Sequence, residues 1–394
     1  MPLKLPNNVL KRRKNEILDL LERLDLDGLC VFSPHFISRL TGFNFLPTER
    51  PIAYILTDHG ESIVIPRLEK EHLELVVDDI DDVIVYPDYP GKIHPMEKIK
   101  DTLTDYGFDS VGVDTDGYGS SYGYFGPSLS ESVDFDVEDI RENLEKSFAV
   151  KYDEEIELLK ESARWERLGM KILKEKTEIG RSEIDITLGA SKKASEELLD
   201  EIGDEYEQSG MVPLPIHSYY RGQVGEGSAL PHALATNEIM DEGDLLGGTS
   251  VCVIDGYFSE LERTFVVGEP TEKQEKYFDM MVHAQDIAFD EIRPGIKMSD
   301  VERKVKGYYE EEGIMKYWRH HTGHGLGTRV HEPPFFDVGD DWKIKENMVL
   351  SVEPGIYIND YGGFRHSDTV VVKKNGVEII TEFPRDLGNC IIRG

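Results

Sequence analysis

The sequence predicts two domains: an α/β domain over residues 1–147, then an α+β domain with a pseudo-twofold repeat over residues 150–394. Three observations predict this. A chain of 394 residues is long for a single hydrophobic core. Helices and strands alternate as far as about residue 147. Two similar helix-turn-helix segments then recur in the second half.

In the first domain, Leu10, Ile17, Leu20, Leu21 and Leu24 form an apolar stripe at helical spacing and predict a helix over Asn8 to Leu24. Short apolar runs predict strands at Gly28 to Phe32, Ala53 to Leu56, Ser62 to Pro66 and Val83 to Tyr86. A helix from Pro95 to Tyr106 precedes one more strand, Ser110 to Val113. The second domain opens with a long charged helix from Asp153 to about Lys174, with Ile156, Leu159, Ala163, Leu168 and Ile172 on its buried side. The repeat pairs the stretch Ile179 to Asp185 with Pro294 to Glu302; capping boxes at Ser182/Asp185 and Ser299/Glu302 would open a helix in each copy.

The formal charge is −33, spread along the chain rather than gathered in a tail. Nucleic acid, which needs a basic face, is excluded as a partner on this ground. Such a surface suits high salt, where screening relieves self-repulsion, and the expected host is a halophile. No apolar run approaches the roughly 18 residues that cross a bilayer, so no membrane role is expected. Met1 to Asn8 lacks the apolar core of a signal peptide. Cys30, Cys252 and Cys390 form neither a disulfide framework nor a ligand-spaced cluster, which fits a reducing cytoplasm.

The chemistry gathers in five places: His232; Gly256 to Phe265, with Glu260 and Glu262; the glycine-rich run His321 to Pro334, with His324 and His331; Glu353-Pro354-Gly355; and Gly362 to Thr369. Histidines supply metal ligation or proton transfer near neutral pH, and glycines let backbone approach a reacting centre. Strand alternation puts Glu260 and Glu262 on one face, opposite Leu261 and Arg263. Glu353 follows an apolar strand-like run, Met348 to Val352, and burying a carboxylate is costly unless it is paired. Blander readings stand beside these. Glu262 would pair with Arg263, His331 would orient Glu332, and Arg365 would pair with Asp368; Tyr219, Tyr220 and Arg221 would line the pocket by nearness alone.

In these motifs the chain resembles the pita-bread-fold family of methionine aminopeptidases, Xaa-Pro peptidases (prolidase and aminopeptidase P) and creatinases. The resemblance covers nearly the whole chain, because prolidases and creatinases carry an N-terminal α/β domain before the catalytic one. Metal-dependent members hold two ions with two aspartates eleven apart, a histidine and two glutamates. Those positions fall on Thr249, Glu260, His324, Glu353 and Ser367. Thr249 and Ser367 cannot replace anionic ligands, so a dinuclear centre is not expected; a single Mn, Co or Zn ion on Glu260, His324 and Glu353 is the alternative to no metal at all.

Leu261-Glu262-Arg263-Thr264 resembles the metal-free creatinase branch. By that resemblance His232 transfers the proton, Glu262 and Glu353 bind a cationic amidine-like group, and Arg50 clamps a substrate carboxylate across a homodimer. Phe335 replaces the second carboxylate-binding arginine and Ser367 a histidine, and Val330 to Pro333 looks more like a peptidase. The preferred expectation is a creatinase-like hydrolase of a C–N bond in a small nitrogenous substrate. Its catalytic residues would be His232, Glu262, His324, His331 and Glu353, with Arg50 and Glu260 binding substrate. Alternatives are an Xaa-Pro peptidase with a reduced metal site, acting on dipeptides, and an inactive binding protein of the same fold.

Overall fold

The structure, a computed structural model, describes residues 3–207 and 214–393; the outer ends of the two predicted domains, residues 1, 2 and 394, lie outside the described residues. The chain divides into two compact units between Phe148 and Ala149.

The N-terminal unit is built on a six-stranded mixed sheet. Its spatial order is Asp82–Tyr86, Gly60–Pro66, Ala53–Thr57, Gly28–Val31, Ser110–Val113 and Asp136–Asp139. Ala53–Thr57 and Gly60–Pro66 form a hairpin, while Gly28–Val31 runs parallel to Ser110–Val113. The helix Asn7–Leu24 buries Ile17, Leu20 and Leu21 against one face, together with Phe36, Leu40, Leu144 and Phe148 from two further helices, Pro34–Thr41 and Arg141–Phe148. Pro95–Tyr106 covers the other face with Met96, Ile99 and Leu103. Proline at the first helical turn and Gly107 in the left-handed conformation at the end set its limits. Each aliphatic side chain fully buried in these layers contributes roughly 1.5–3 kcal/mol.

The C-terminal unit contains two helix pairs, Asp153–Lys176 with Glu183–Ile202 and Glu272–Glu291 with Met298–Glu311, each followed by strands. One sheet runs Ile391–Ile392, Leu261–Val267, Leu245–Ile254, Ile216–Tyr219. The other runs Glu332–Phe335, His324–Gly325, Val349–Val352, Asp368–Lys373, Gly376–Ile379, and a hairpin joins Gly355–Ile358 to Gly362–Arg365. The two capping expectations fare differently. Ser182 accepts from Asp185 N at 3.3 Å, but the Asp185 carboxylate is taken by Arg181. The second helix starts at Met298, one residue before the expected cap, so Ser299 lies inside it and Asp300 closes the turn by accepting from Lys297 N. Glu302 instead accepts from Thr322 N at 2.9 Å and ties the helix to the segment before His324.

Candidate metal centre

The two sheets of the C-terminal unit meet at a backbone rung between Glu262 and Ser367. Glu262 N donates to Ser367 O at 3.0 Å, and Ser367 N donates to Glu262 O at 3.1 Å. Next to it Thr369 Oγ1 accepts from Glu260 N at 2.8 Å and donates to Glu260 O at 3.0 Å. Register in the first sheet sets Glu262 opposite Thr249. The glutamates share a face, as alternation requires, and both are buried.

His324 enters from the second sheet. The glycines around it answer to neighbouring backbone, not to a reacting centre as the sequence suggested. A Cβ at Gly323, whose φ is +154°, would lie 2.1 Å from Ser351 O, and one at Gly325 would lie 2.6 Å from Pro333 O. Thus the strand carrying His324 fits only with glycine on either side. Nδ1 of His324 lies 2.9 Å from Gly325 O. Donation to that carbonyl fixes the proton on Nδ1 and turns the Nε2 lone pair toward the site.

Nε2 then faces Glu353 Oε1 at 3.4 Å and Glu260 Oε2 at 3.8 Å. Neither His324 Nε2 nor Glu260 Oε2 has a hydrogen-bond partner. Polar atoms converging in a buried place need either shared protons or a cation to join them. Burial, with the adjoining Glu353 charge, pushes Glu260 up to about 8. Burial opposes protonation of His324, but contact with Glu353 and the charge of Glu260 outweigh it and push the ring up to about 9. Burial likewise opposes ionisation of Glu353, yet His324 and Arg365 hold its carboxyl well below the usual range. Among the described residues these three form a group whose ligand atoms all lie within 4.8 Å of one another. Two ligands bound at about 2.1 Å to a tetrahedral ion lie about 3.4 Å apart, close to the spacings here. One ion of the Mn, Co or Zn type therefore fits.

A second ion does not. Thr249 Oγ1 is a donor, pointing 3.0 Å to Glu262 Oε1, and Ser367 Oγ is a buried hydroxyl with no hydrogen-bond partner. Glu262 itself is engaged by Arg365, through Nε to one oxygen and through Nη2 to Oε1 at 2.8 Å. Two sequence expectations are corrected here. Arg365 pairs with Glu262 rather than Asp368, and the partner of Asp368 is Arg263, at 2.7 Å. Glu262 is therefore neither paired to Arg263 nor open to a cationic substrate.

The remaining candidates lie around this corner or away from it. His331 is exposed, with its ring centroid 4.2 Å from that of His324. Partial burial, then the charge of His324, lowers its pKa, and His232 contributes to the same effect. His232 is exposed, in a turn after the short helix Gly225–Ala229. Glu332 is oriented by Lys151, at 3.0 Å, not by His331. Tyr219 is pushed up to about 12 by burial and then by the charge of Glu262. Tyr220 is turned away, hydrogen-bonded to Thr177. Arg221 donates to Pro231 O at 3.1 Å. Arg50 belongs to the N-terminal unit, where Glu49 and Asp88 take its guanidinium. Sequence reading missed Tyr357 and His320. Tyr357 OH lies 3.2 Å from Arg365 Nη1 and 2.8 Å from His320 Nε2. Only the short spacing of Tyr357 behind Glu353 on the following strand hinted at it.

Residues 157–374 match metallopeptidase family M24, and residues 13–142 match the creatinase/prolidase N-terminal domain. The chain belongs to family M24. Its fold is the pita-bread fold that the sequence resemblance implied. An Xaa-Pro dipeptidase of Pyrococcus horikoshii is 37% identical over 163 residues, which is 41% of this chain and 46% of that protein. The chain thus aligns with less than half the length of that relative. An Xaa-Pro dipeptidase structure from Bacillus anthracis superposes with a TM-score of 0.80 at 23% identity, over 97% of this chain and 99% of that one. The N-terminal domain of a FACT complex subunit from chickpea gives 0.72 at 16% identity, over 98% of this chain and 99% of that one. Among the described residues no helix is long and apolar enough to cross a membrane.

Proposed function

We propose that this chain is a hydrolase of peptide C–N bonds, a prolidase-like metallopeptidase acting on short peptides with proline after the scissile bond. It would work with one divalent ion, where metal-dependent relatives by resemblance hold two. The observation that carries the reading is the convergence of His324 Nε2, Glu260 Oε2 and Glu353 Oε1, two of them without hydrogen-bond partners. The family description and the names of the relatives support it. The creatinase-like reading is weaker, because it needs Glu262 free to take an amidine and Arg365 already holds that carboxylate.

Glu260, His324 and Glu353 would hold the ion. When bound, a divalent ion supplies Lewis acidity toward a carbonyl oxygen and makes an attacking water more acidic. The chain's own residues do the rest. Hydrolysis places the water's hydroxyl on the carbonyl carbon and needs a proton on the departing nitrogen. His331, half-exposed beside His324 with its pKa held down, is neutral near pH 7 and suited to pass that proton, with His232 as its neighbour on the solvent side. Arg365 holds the Glu262 carboxylate away from substrate.

The test is hydrolysis of Xaa-Pro dipeptides by protein stripped with chelator and reloaded with Mn, Co or Zn in high salt. Activity should vanish on stripping and return on reloading. Full turnover by stripped protein, or turnover of amidines and not dipeptides, would overturn the proposal. Metal binding without turnover of any dipeptide would leave the inactive binding protein as the better account.

A further inference from the structure

Arg221 stands two residues past the strand Ile216–Tyr219 and is half-buried. Its φ is +54°, in the left-handed region that side chains rarely adopt. Glu183 holds the turn there, accepting from Gly222 N at 2.7 Å and from Asn237 N at 3.0 Å. The loop that carries His232 is thus tied at both ends to one buried carboxylate, and Arg221 stands just before it. Residues kept in a strained conformation by their surroundings gather at functional sites.

Acidic residues outnumber basic ones 77 to 44, yet among the described residues no carboxylate pairs with Arg221. Its one hydrogen bond among them runs from Nη2 to Pro231 O at 3.1 Å, and Nε is buried without a partner. A guanidinium presents its donors as a planar fork matched to a carboxylate, and here most of the fork is unused. Two observations put it at the site. Pro231 O, on the residue before His232, also accepts from Gln223 Nε2 at 3.1 Å and from Arg365 Nη1 at 3.4 Å, so one oxygen joins the two guanidinium groups. Arg365 Nε in turn stands 3.9 Å from Glu353 Oε2. Register adds the second: Tyr219 lies opposite Thr249, and Thr249 opposite Glu262. Arg365 is closed on Glu262, and Arg50 on Glu49 and Asp88, so neither has the open fork that Arg221 has.

We propose that Arg221 is a carboxylate anchor, binding the free α-carboxylate of a short peptide whose chain ends just past the bond to be cleaved. One extended residue spans about 3.5 Å. An anchor separated from Glu353 by only Pro231 O and Arg365 therefore suits the end of a dipeptide and turns longer chains away. The substrate class rests on the peptidase function proposed above; the binding of a carboxylate by Arg221 does not.

The test has two arms. In the first, metal-stripped protein is titrated calorimetrically with N-acetylproline and with N-acetylprolinamide, which differ only in the carboxylate; no turnover is needed. Wild type should bind the acid about tenfold more tightly than the amide, the worth of one charge-assisted pair. Arg221→Met should lose that preference, and Arg221→Lys should keep part of it. In the second, Mn-loaded protein is given alanylproline and its amide. Arg221→Met should raise KM for the acid about tenfold, with little change in kcat, and leave the amide unaffected. Equal losses on both peptides, or a fall in kcat alone, would make Arg221 a positioning residue that merely holds Pro231 and His232, and would overturn the proposal. Turnover of neither peptide by wild type defeats the proposed function, and the first arm then decides the anchor. Equal binding of acid and amide there, or binding of neither, overturns it. If the methionine variant does not fold, Arg221→Lys is read in its place: its preference for the acid should fall below that of wild type, and an unchanged or larger one overturns the proposal.

Discussion

Arg263 and Arg365 are both buried guanidinium groups at the joint between the two sheets, and their partners differ in kind. Arg263 ends on Asp368 and on the carbonyls of Glu262, Ser367, Phe383 and Pro384. Asp368 is closed in turn by Thr381 and Gln285. Every bond in that set leads back into backbone or into another satisfied group. Arg365 ends on Glu262, near Glu353, and on a tyrosine hydroxyl, all facing the cation site. A buried charge whose network closes on itself holds the fold. One whose network opens on unpartnered ligand atoms sets the electrostatics of a site.

The largest expected effect separates the two arginines by stability. Arg263→Met strands Asp368 without its cation and should cost about 3–5 kcal/mol of unfolding free energy in guanidinium titrations. Arg365→Met should cost less than half as much, since Glu262 keeps Thr249 as a donor and lies nearer solvent. Equal losses would break the comparison.

Asp114 extends it to the N-terminal unit. Its carboxylate accepts from two backbone amides, Phe32 N and Ser33 N, both at 2.8 Å. Burial pushes it up to about 6, against an ordinary value of 3.8, with those amides opposing. A carboxyl raised in the folded state stabilises below its unfolded pKa, and that contribution is lost as pH rises through the folded one. Between pH 4 and 6 wild type should therefore lose about 2 kcal/mol relative to Asp114→Asn. Parallel stability curves for the two proteins would refute this.

Glu353→Gln addresses the open network. Mn affinity should fall by at least about 100-fold while the unfolding midpoint moves little, because a ligand has been removed and not a fold contact. A large stability loss with unchanged affinity would make Glu353 structural. The smallest effect is global. Raising KCl from low to molar concentration should lift the melting temperature by several degrees, as screening relieves the charge of −33. A melting temperature independent of salt would argue against the halophilic expectation.

Much of the fold was legible because local chemistry announced it. Apolar spacing marked Asn7–Leu24, and Pro95 and Gly107 bracketed the next long helix. Asp136–Asp139 was missed, since an acidic, exposed edge strand lacks the apolar signal of its neighbours and pairs only through its parallel register with Ser110–Val113. The convergence of Glu260, His324 and Glu353 was legible from their motif positions. The Arg365–Glu262 pair was not, because sequence nearness pointed to Asp368. The true partner is set by a backbone rung between residues 262 and 367, and no local pattern reports such a rung.

That rung also limits how this protein can change. Glu262 and Ser367 carry two of the hydrogen bonds that join the two sheets, and their side chains belong to the site. A substitution at either one alters the chemistry and the weld between the two halves at the same time. His331 and His232 stand at the solvent edge, outside that weld. The ancestry of the corner should accordingly be written in coupled exchanges at positions 249, 262, 365 and 367, and in independent ones along the rim.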